Sequence, residues 1–384
     1  MIYFDNSATT KPYKEVVDLI ADLSLNIFGN PSSLHTLGLQ AEKILEKSRK
    51  MLAETIKATP DELIFTSGGT EAINMALKGS ADANKRSGRH ILSTPIEHSA
   101  SLESLKVLQE MGFEVELINV DAYGKIDLAD LKNKLKSDTI LVNIMLVNNE
   151  IGTIQPVGEA AAIIKSFKKE IVFHIDAIQG FGKMPISTKL IKADLISFSS
   201  HKVHGPKGVG LLYVRHGTKI NAILSGGGQE KHLRPGTVNV PGIAGFAHAA
   251  VKIVANMEED NRMINRVRSK LIEGLSERIP EKIRVNSPTD ALPGILNISF
   301  DSFRAEVILH ALEQKEIYVS SGSACNSKKQ SVSHVIKAMN LPANWSEGAI
   351  RFSFSGENTE EEAHLCAEAL SEIIHTFGQI SRLK

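Results

Sequence analysis

Cysteine is nearly absent: the 384 residues hold two, Cys325 and Cys366. Two are too few for a disulfide framework, which points to a reducing compartment, most simply the cytoplasm. Net charge is absent as well, because Lys plus Arg and Asp plus Glu each number 44. A balanced chain has no electrostatic footprint for nucleic acid or an anionic membrane, so neither is expected as a partner. No uninterrupted apolar run nears the roughly 18 residues of a membrane span. The opening MIYFDNSATTKP has neither a basic n-region nor an apolar h-region, so no secretory signal is expected. Internal repeats and low-complexity tracts are missing too.

What the chain does have is alternation. Short apolar segments at 62–67, 89–94, 114–120, 140–147, 171–176, 193–199 and 210–215 read as strands. Helical patterns such as 71–85 and 157–170 lie between them. Strands separated by helices predict an α/β fold with a mostly parallel sheet covered on both faces. ILVNIMLV (140–147) is nearly continuously apolar, as a strand buried on both sides should be. A Gly/Pro-rich patch, SGGGQEKHLRPGTVNVPG (225–242), breaks the pattern. A long helical stretch follows at about 243–279, then a strand candidate at 295–300 and helices near 304–316 and 359–377. The length suits two domains, the second a smaller α/β unit from about residue 256.

Several strand ends carry polar residues able to do chemistry. SFSSHKVHGPKG (197–208) delivers Lys202 into a Ser, His, Gly and Pro cluster, although a solvated loop cation is the plainer reading. TSGGTEA (66–72) is a Gly-rich turn before a helix, suited to an anion but equally an ordinary capped turn. Asp176 and Gln179 follow the strand IVFHID, where α/β folds keep ligands. His98 and the pair Asn148 and Asn149 follow two further strands. Pyridoxal 5′-phosphate would use them all: it needs a phosphate cradle, a carboxylate at its ring nitrogen, a donor to its phenolic oxygen and a Schiff-base lysine.

TSGGTEA, PIEHSA, NNEIGTIQP, HIDAIQG, SFSSHKVHGPKGVG, GGGQE, SSGSAC and IRFS, in this order, resemble the NifS/IscS-type cysteine desulfurases of the class-V aminotransferase family. With FDNSATT (4–10) and GNPSS (29–33), the likeness covers essentially the whole chain. It implies a fold type I homodimer that binds pyridoxal phosphate. The large domain, with a seven-stranded sheet, would be 15–255, and the small domain 1–14 with 256–384. By resemblance, Gly69, Thr70, Ser199 and His201 would hold the phosphate. His98 would stack on the ring, Asp176 would pair with its nitrogen, and Gln179 would bond the phenolic oxygen. Lys202 would carry the cofactor. Asn148 would lie near that oxygen and the substrate, and Arg351 would bind the substrate carboxylate, for which a guanidinium fork is suited. Thr237 would reach the partner subunit's phosphate, although this chain has RPGT where the family pattern is nearer RSGT.

Cys325 lies in a polar Ser/Gly-rich stretch, VSSGSACNSKKQSVSH (319–334), whereas Cys366 sits on a helical pattern between Leu365 and Ala367 and reads as structural. The resemblance implies that L-cysteine takes the place of Lys202 on the cofactor and that Lys202 moves the α-proton. It also implies that His98 is catalytic, with Lys202 and Cys325. Cys325 then attacks the substrate sulfur, leaving L-alanine and a persulfide for an acceptor such as an iron–sulfur scaffold. No resident metal is expected: His201 and His204 lack further ligands, and Cys325 is at most a transient iron–sulfur ligand. Two rival readings stand: a selenocysteine lyase or other enzyme using this cofactor and fold, and a non-catalytic scaffold.

Overall fold

The computed structural model describes residues 1–321 and 332–381. Each of the seven expected segments forms a strand of one sheet: β2 (Leu63–Thr66), β3 (His90–Ser93), β4 (Glu114–Leu117), β5 (Thr139–Met145), β6 (Val172–Asp176), β7 (Leu195–Ser199) and β8 (Gly210–Val214). They lie in the order β2-β8-β7-β6-β5-β3-β4. Only β8 runs against its neighbours β2 and β7, so the other six strands point the same way. Their C-terminal ends therefore share one edge, the usual place for a ligand.

Successive side chains on a strand face opposite ways, and the core divides accordingly. Leu63, Phe65, Val142, Leu211 and Tyr213 enter one apolar cluster, while Ile64, Leu141 and Leu212 enter another across the sheet. All seven residues of β5 are buried, which explains its nearly continuous apolar character, and its one amide, Asn143, is satisfied by Ser93 and His174.

The remaining strands build a smaller unit. β9 (Ile283–Val285), β10 (Ile295–Phe300) and β12 (Ala349–Ser353) form an antiparallel sheet with β10 in the centre. β1 (Ile2–Tyr3) pairs with β11 (Ile317–Tyr318) in parallel. Ile2 and Phe4 join its core beside Phe300, Phe352 and Cys366, so the N-terminus belongs with the C-terminal part.

One helix, Val240–Arg278, crosses from unit to unit. Its residues as far as Ile253 pack into the large core, and those from Ile264 onward into the small one. Its N-terminal half is apolar enough in mean hydropathy to meet the composition of a membrane span. That half is apolar because it lies in a protein core, with Ile243, Phe246, Ala247 and Ala250 all buried.

Candidate functional site

The shared strand edge opens on a cavity of about 300 Å³. Gly69 and Thr70 reach it after β2, His98 after β3, Asn149 after β5 and Asp176 at the end of β6. Gln179 follows Asp176, and Ser199, His201 and Lys202 arrive with β7. Ser7, Ala8 and Arg351, from the smaller unit, close the other wall.

The N-terminal FDNSATT strand end is pinned to β12 by a parallel bridge between Asp5 and Ser353 and by Ser7 N donating to Ser353 Oγ at 2.8 Å. This places the carbonyls of Ser7 and Ala8 against Lys202, whose Nζ donates to them at 2.5 and 2.7 Å. Gln179 Nε2 donates to the same Ser7 carbonyl at 3.0 Å. Gln179 Oε1 accepts from Lys183 Nζ at 3.1 Å. A carbonyl oxygen can only accept, so the Ser7 contact fixes which end of the amide is which.

Asp176 is 4% exposed, and its Oδ1 accepts from Ile178 N at 3.0 Å. Burial pushes its pKa up to about 6, against the pull of the Ile178 N–H and the Lys202 charge. Such a carboxylate has room for a cationic N–H donor. His98 Nδ1 accepts from Ala100 N at 3.1 Å at the start of the helix Ser99–Glu110. Burial, with Lys202 and His334 adding to it, brings the ring's pKa down to about 4 and leaves it neutral. The same causes, burial first and Lys202 next, hold His201 near 4.

A phosphorylated pyridine fits these walls. Ser199 Oγ is buried with no hydrogen-bond partner. A Cβ at Gly69 would come within 2.3 Å of Ile178 Cδ1 and 3.4 Å of Ser199 Cβ, so a side chain there would crowd the turn between β2 and its helix. The cavity thus offers a bare backbone turn, an unused hydroxyl, a lysine and a buried carboxylate.

Arg351 is nearly buried; its Nη2 pairs with Asp5 Oδ1 at 2.7 Å and its Nη1 donates to Asn149 O at 3.1 Å. The sequence assigned no role to Asp5, Ser7, Ala8 or Lys183, although FDNSATT was itself a signal, and it named Asn149 only alongside Asn148. Asn148 is turned elsewhere than expected. Its Nδ2 donates to Ile96 O at 2.9 Å, and its Oδ1 accepts from Glu150 N and Ile151 N, closing the NNEIG turn. Its neighbour Asn149 is the one on the cavity wall.

Thr237 is exposed and outside the cavity of its own chain. Its segment is held by Glu230, which accepts from Phe65 N at 2.8 Å and pairs with Arg49, and by Arg234 on Glu71 at 2.9 Å. Cys325 lies outside the described residues. His204 leaves the cavity to stack on Tyr13, 4.5 Å between centroids, and so does not converge with His201. Among the described residues His90, Glu114 and Glu116 gather three metal-type ligand atoms. Lys136 already pairs with both carboxylates, at 2.7 Å from Glu114 and 3.0 Å from Glu116.

The family model for aminotransferase class-V matches residues 2–365. The chain belongs to that family. Within it, the chain is 42% identical over 382 residues to a cysteine desulfurase IscS of Methanosarcina thermophila, covering all of this chain and 94% of that protein. It is 41% identical to a protein of the same name from Dictyoglomus turgidum, covering all of this chain and 97% of that one. Among solved structures, a NifS-like protein superposes with a TM-score of 0.92 at 39% identity, over 98% of this chain and 99% of that one. SspA in complex with cysteine superposes with a TM-score of 0.81 at 30% identity, over 92% and 99%. The family is pyridoxal-phosphate-dependent, as the fit of the cavity requires, and the chain stands with its NifS/IscS cysteine desulfurases.

Proposed function

We propose that this protein is a cysteine desulfurase that takes the sulfur of L-cysteine onto Cys325, leaves L-alanine, and passes the sulfur to an acceptor protein such as an iron–sulfur scaffold. The observation that carries this reading is the meeting of Lys202, Asp176, His98, Gln179, Ser199 and Arg351 at one cavity.

Asp176 would hold the ring nitrogen and Gln179 Nε2 the phenolic oxygen. The neutral His98 ring would lie on the face of the pyridine. Ser199 Oγ, His201, Thr70 and the backbone at Gly69 would hold the phosphate, and Lys202 Nζ the aldehyde carbon. When bound, pyridoxal phosphate supplies a sink for the electron pair left at the substrate Cα.

The chain's own groups do the rest. Arg351, its guanidinium oriented by Asp5 and by the Asn149 carbonyl, takes the substrate carboxylate. Asn149, rather than Asn148, supplies the amide on that side. Lys202, aimed by the Ser7 and Ala8 carbonyls, moves the α-proton. The Cys325 thiolate attacks the substrate sulfur. An S–S bond forms as the S–Cβ bond breaks, and the released pair stays with the Cβ side. Cys325 sulfur is thereby oxidised to a persulfide while Cβ is reduced and, on protonation, becomes the methyl of alanine.

The active unit is a homodimer in which Thr237 serves the partner's site, working in the cytoplasm. Apolar side chains exposed on the single chain, among them Leu25, Phe28, Leu34, Ile223 and Leu224, support the dimer.

Incubation of the cofactor-loaded protein with L-cysteine is expected to release L-alanine and to add the mass of one sulfur atom to the peptide containing Cys325. Cys325→Ala should lose both products and keep the visible absorbance of the bound cofactor. Cys366→Ala should keep both, since its thiol is fully buried and burial raises its pKa far above the usual range. Alanine release at the wild-type rate by Cys325→Ala overturns the mechanism.

A further inference from the structure

Lys183 is a cation that the chemistry described so far leaves unused, although it touches a residue of the site. Among the described residues no carboxylate pairs with it, and its Nζ donates to Gln179 Oε1 at 3.1 Å. A partly buried ammonium that meets only an amide oxygen is costly to fold around. Its backbone is fixed from outside the cavity. Gln179 and Lys183 lie in the turn after β6, where Lys183 N donates to Gly180 O at 3.1 Å. Asn261 Nδ2, on the long helix, donates to Lys183 O at 2.9 Å. Between them in the turn, Gly182 has φ 71°, and a Cβ there would come within 2.6 Å of Ile253 Cγ2 on the same helix. The turn is thus pressed against the helix, with the lysine side chain directed back to Gln179.

The Gln179 amide is held at both ends. Its Nε2 donates to Ser7 O at 3.0 Å while its Oε1 accepts from Lys183. The same Ser7 carbonyl accepts from Lys202 Nζ, so one chain of hydrogen bonds runs from Lys183 to Lys202. An amide nitrogen has two N–H donors, and these contacts use one. The other remains for the phenolic oxygen of the cofactor. An amide turned end for end would set oxygen against the Ser7 carbonyl and N–H groups against the ammonium. A charge-assisted bond at Oε1 also polarises the amide and makes its N–H a stronger donor.

We propose that Lys183 is a positioning residue for the cofactor, holding the Gln179 amide and strengthening its N–H toward the phenolic oxygen. The proposal rests on the pyridoxal-phosphate reading of Gln179 above. The surrounding charges suit it. Burial first, then Lys202 and Arg351, lower the Lys183 pKa to about 7. Lys183 in turn adds to burial in lowering His201 and His204. Against these cations stand Asp176 on the cavity wall and Asp5 on Arg351. Negative charge brought in by the phosphate and the phenolic oxygen favours the ammonium form.

The test is a pH titration of the visible absorbance of the cofactor-loaded protein. It compares Lys183→Met, Lys183→Arg, Gln179→Leu and the double variant Lys183→Met/Gln179→Leu with the wild type. The ammonium and the amide N–H both favour loss of the proton shared by the phenolic oxygen and the lysine-linked nitrogen. Lys183→Met should therefore raise the midpoint by about one pH unit, and Lys183→Arg should stay within about 0.3 unit of the wild type. Lys183→Ala should show the same rise and replaces Lys183→Met if that variant does not fold. Adding Lys183→Met to Gln179→Leu should move the midpoint little further, because the lysine acts through the amide. An unmoved midpoint in the single lysine variants, or shifts that simply add in the double variant, overturns the proposal. So does a lower melting temperature with the midpoint unmoved, which marks a merely structural role. Wild-type protein that takes up no pyridoxal phosphate overturns the cofactor reading and this proposal with it. Wild-type protein that shows the titration but releases no alanine overturns the desulfurase reading alone.

Discussion

Asp176 and Glu97 show how burial assigns different work to two carboxyl groups. Asp176 opens on the cavity and is raised only to about 6, so it is ionised near neutrality and ready for a protonated ring nitrogen. Asp176→Asn should lower kcat by about a hundredfold or more, since a neutral amide cannot stabilise that charge; steady-state alanine release measures it. Glu97 lies behind the wall, 0% exposed, with Oε1 accepting from Met145 N and Thr94 Oγ1 and Oε2 unpartnered. Burial pushes its pKa to about 8. Its folded pKa exceeds its unfolded one, so the folded state binds the extra proton. Glu97 therefore contributes stability at low pH that is lost as pH rises from about 4.5 through 8. Glu97→Gln cannot ionise. Its melting temperature, measured on cofactor-free protein, should gain on the wild type as pH is raised across that window. A difference that does not change with pH would mean that Glu97 is not the group titrating.

Among the elements, the 225–242 segment broke the strand and helix pattern, and only its resemblance gave it a role, through Thr237. The structure shows what holds it. Glu230 is 9% exposed, sits at a left-handed backbone position (φ 43°), and satisfies both Arg49 and the N–H of Phe65 on β2. The strand at the sheet edge and the Gly-rich segment are thereby one hydrogen-bonded unit. Removing one partner of a buried pair strands the other, so Glu230→Ala should cost about 3 kcal/mol in urea unfolding. The loss should be accompanied by weaker cofactor retention in the dimer, because Thr237 follows on the same segment. The helix Val240–Arg278 carries a related lesson: its periodicity was plain, yet the transfer of its packing from one core to the other occurs inside an unbroken helix, where no composition change marks it.

For the whole molecule, the proposed dimer with shared sites carries its own test. Thr237 is exposed and is not among the residues that line its own chain's cavity, and the single chain leaves Phe28 at 69% and Leu34 at 106% of full exposure. Light scattering should give the mass of a dimer, and a Thr237→Ala subunit mixed with a Lys202→Ala subunit should recover activity only in the mixed dimers that retain one intact composite site. Full activity from a species that scatters as a monomer would rule out shared sites.

The sequence by itself determined the strands, the long helix and the members of the site that stand at strand ends. Alternation, apolar runs and Gly/Pro punctuation are local properties, and each motif follows its strand directly. Lys202, Asp176, Gln179, His98, Ser199 and Thr70 were readable for that reason, and the parallel strands bring them to one edge. Tertiary structure alone decided what those residues touch. Asp5 meets Arg351 across 346 positions of chain, and Lys202 meets Ser7 across 195. Such contacts depend on strand order and register, which periodicity does not carry. The choice between Asn148 and Asn149 shows the same limit at the finest scale. Both follow β5, and only the hydrogen bonds that close the NNEIG turn decide that the Asn148 amide is consumed in the loop while Asn149 is the residue on the cavity wall.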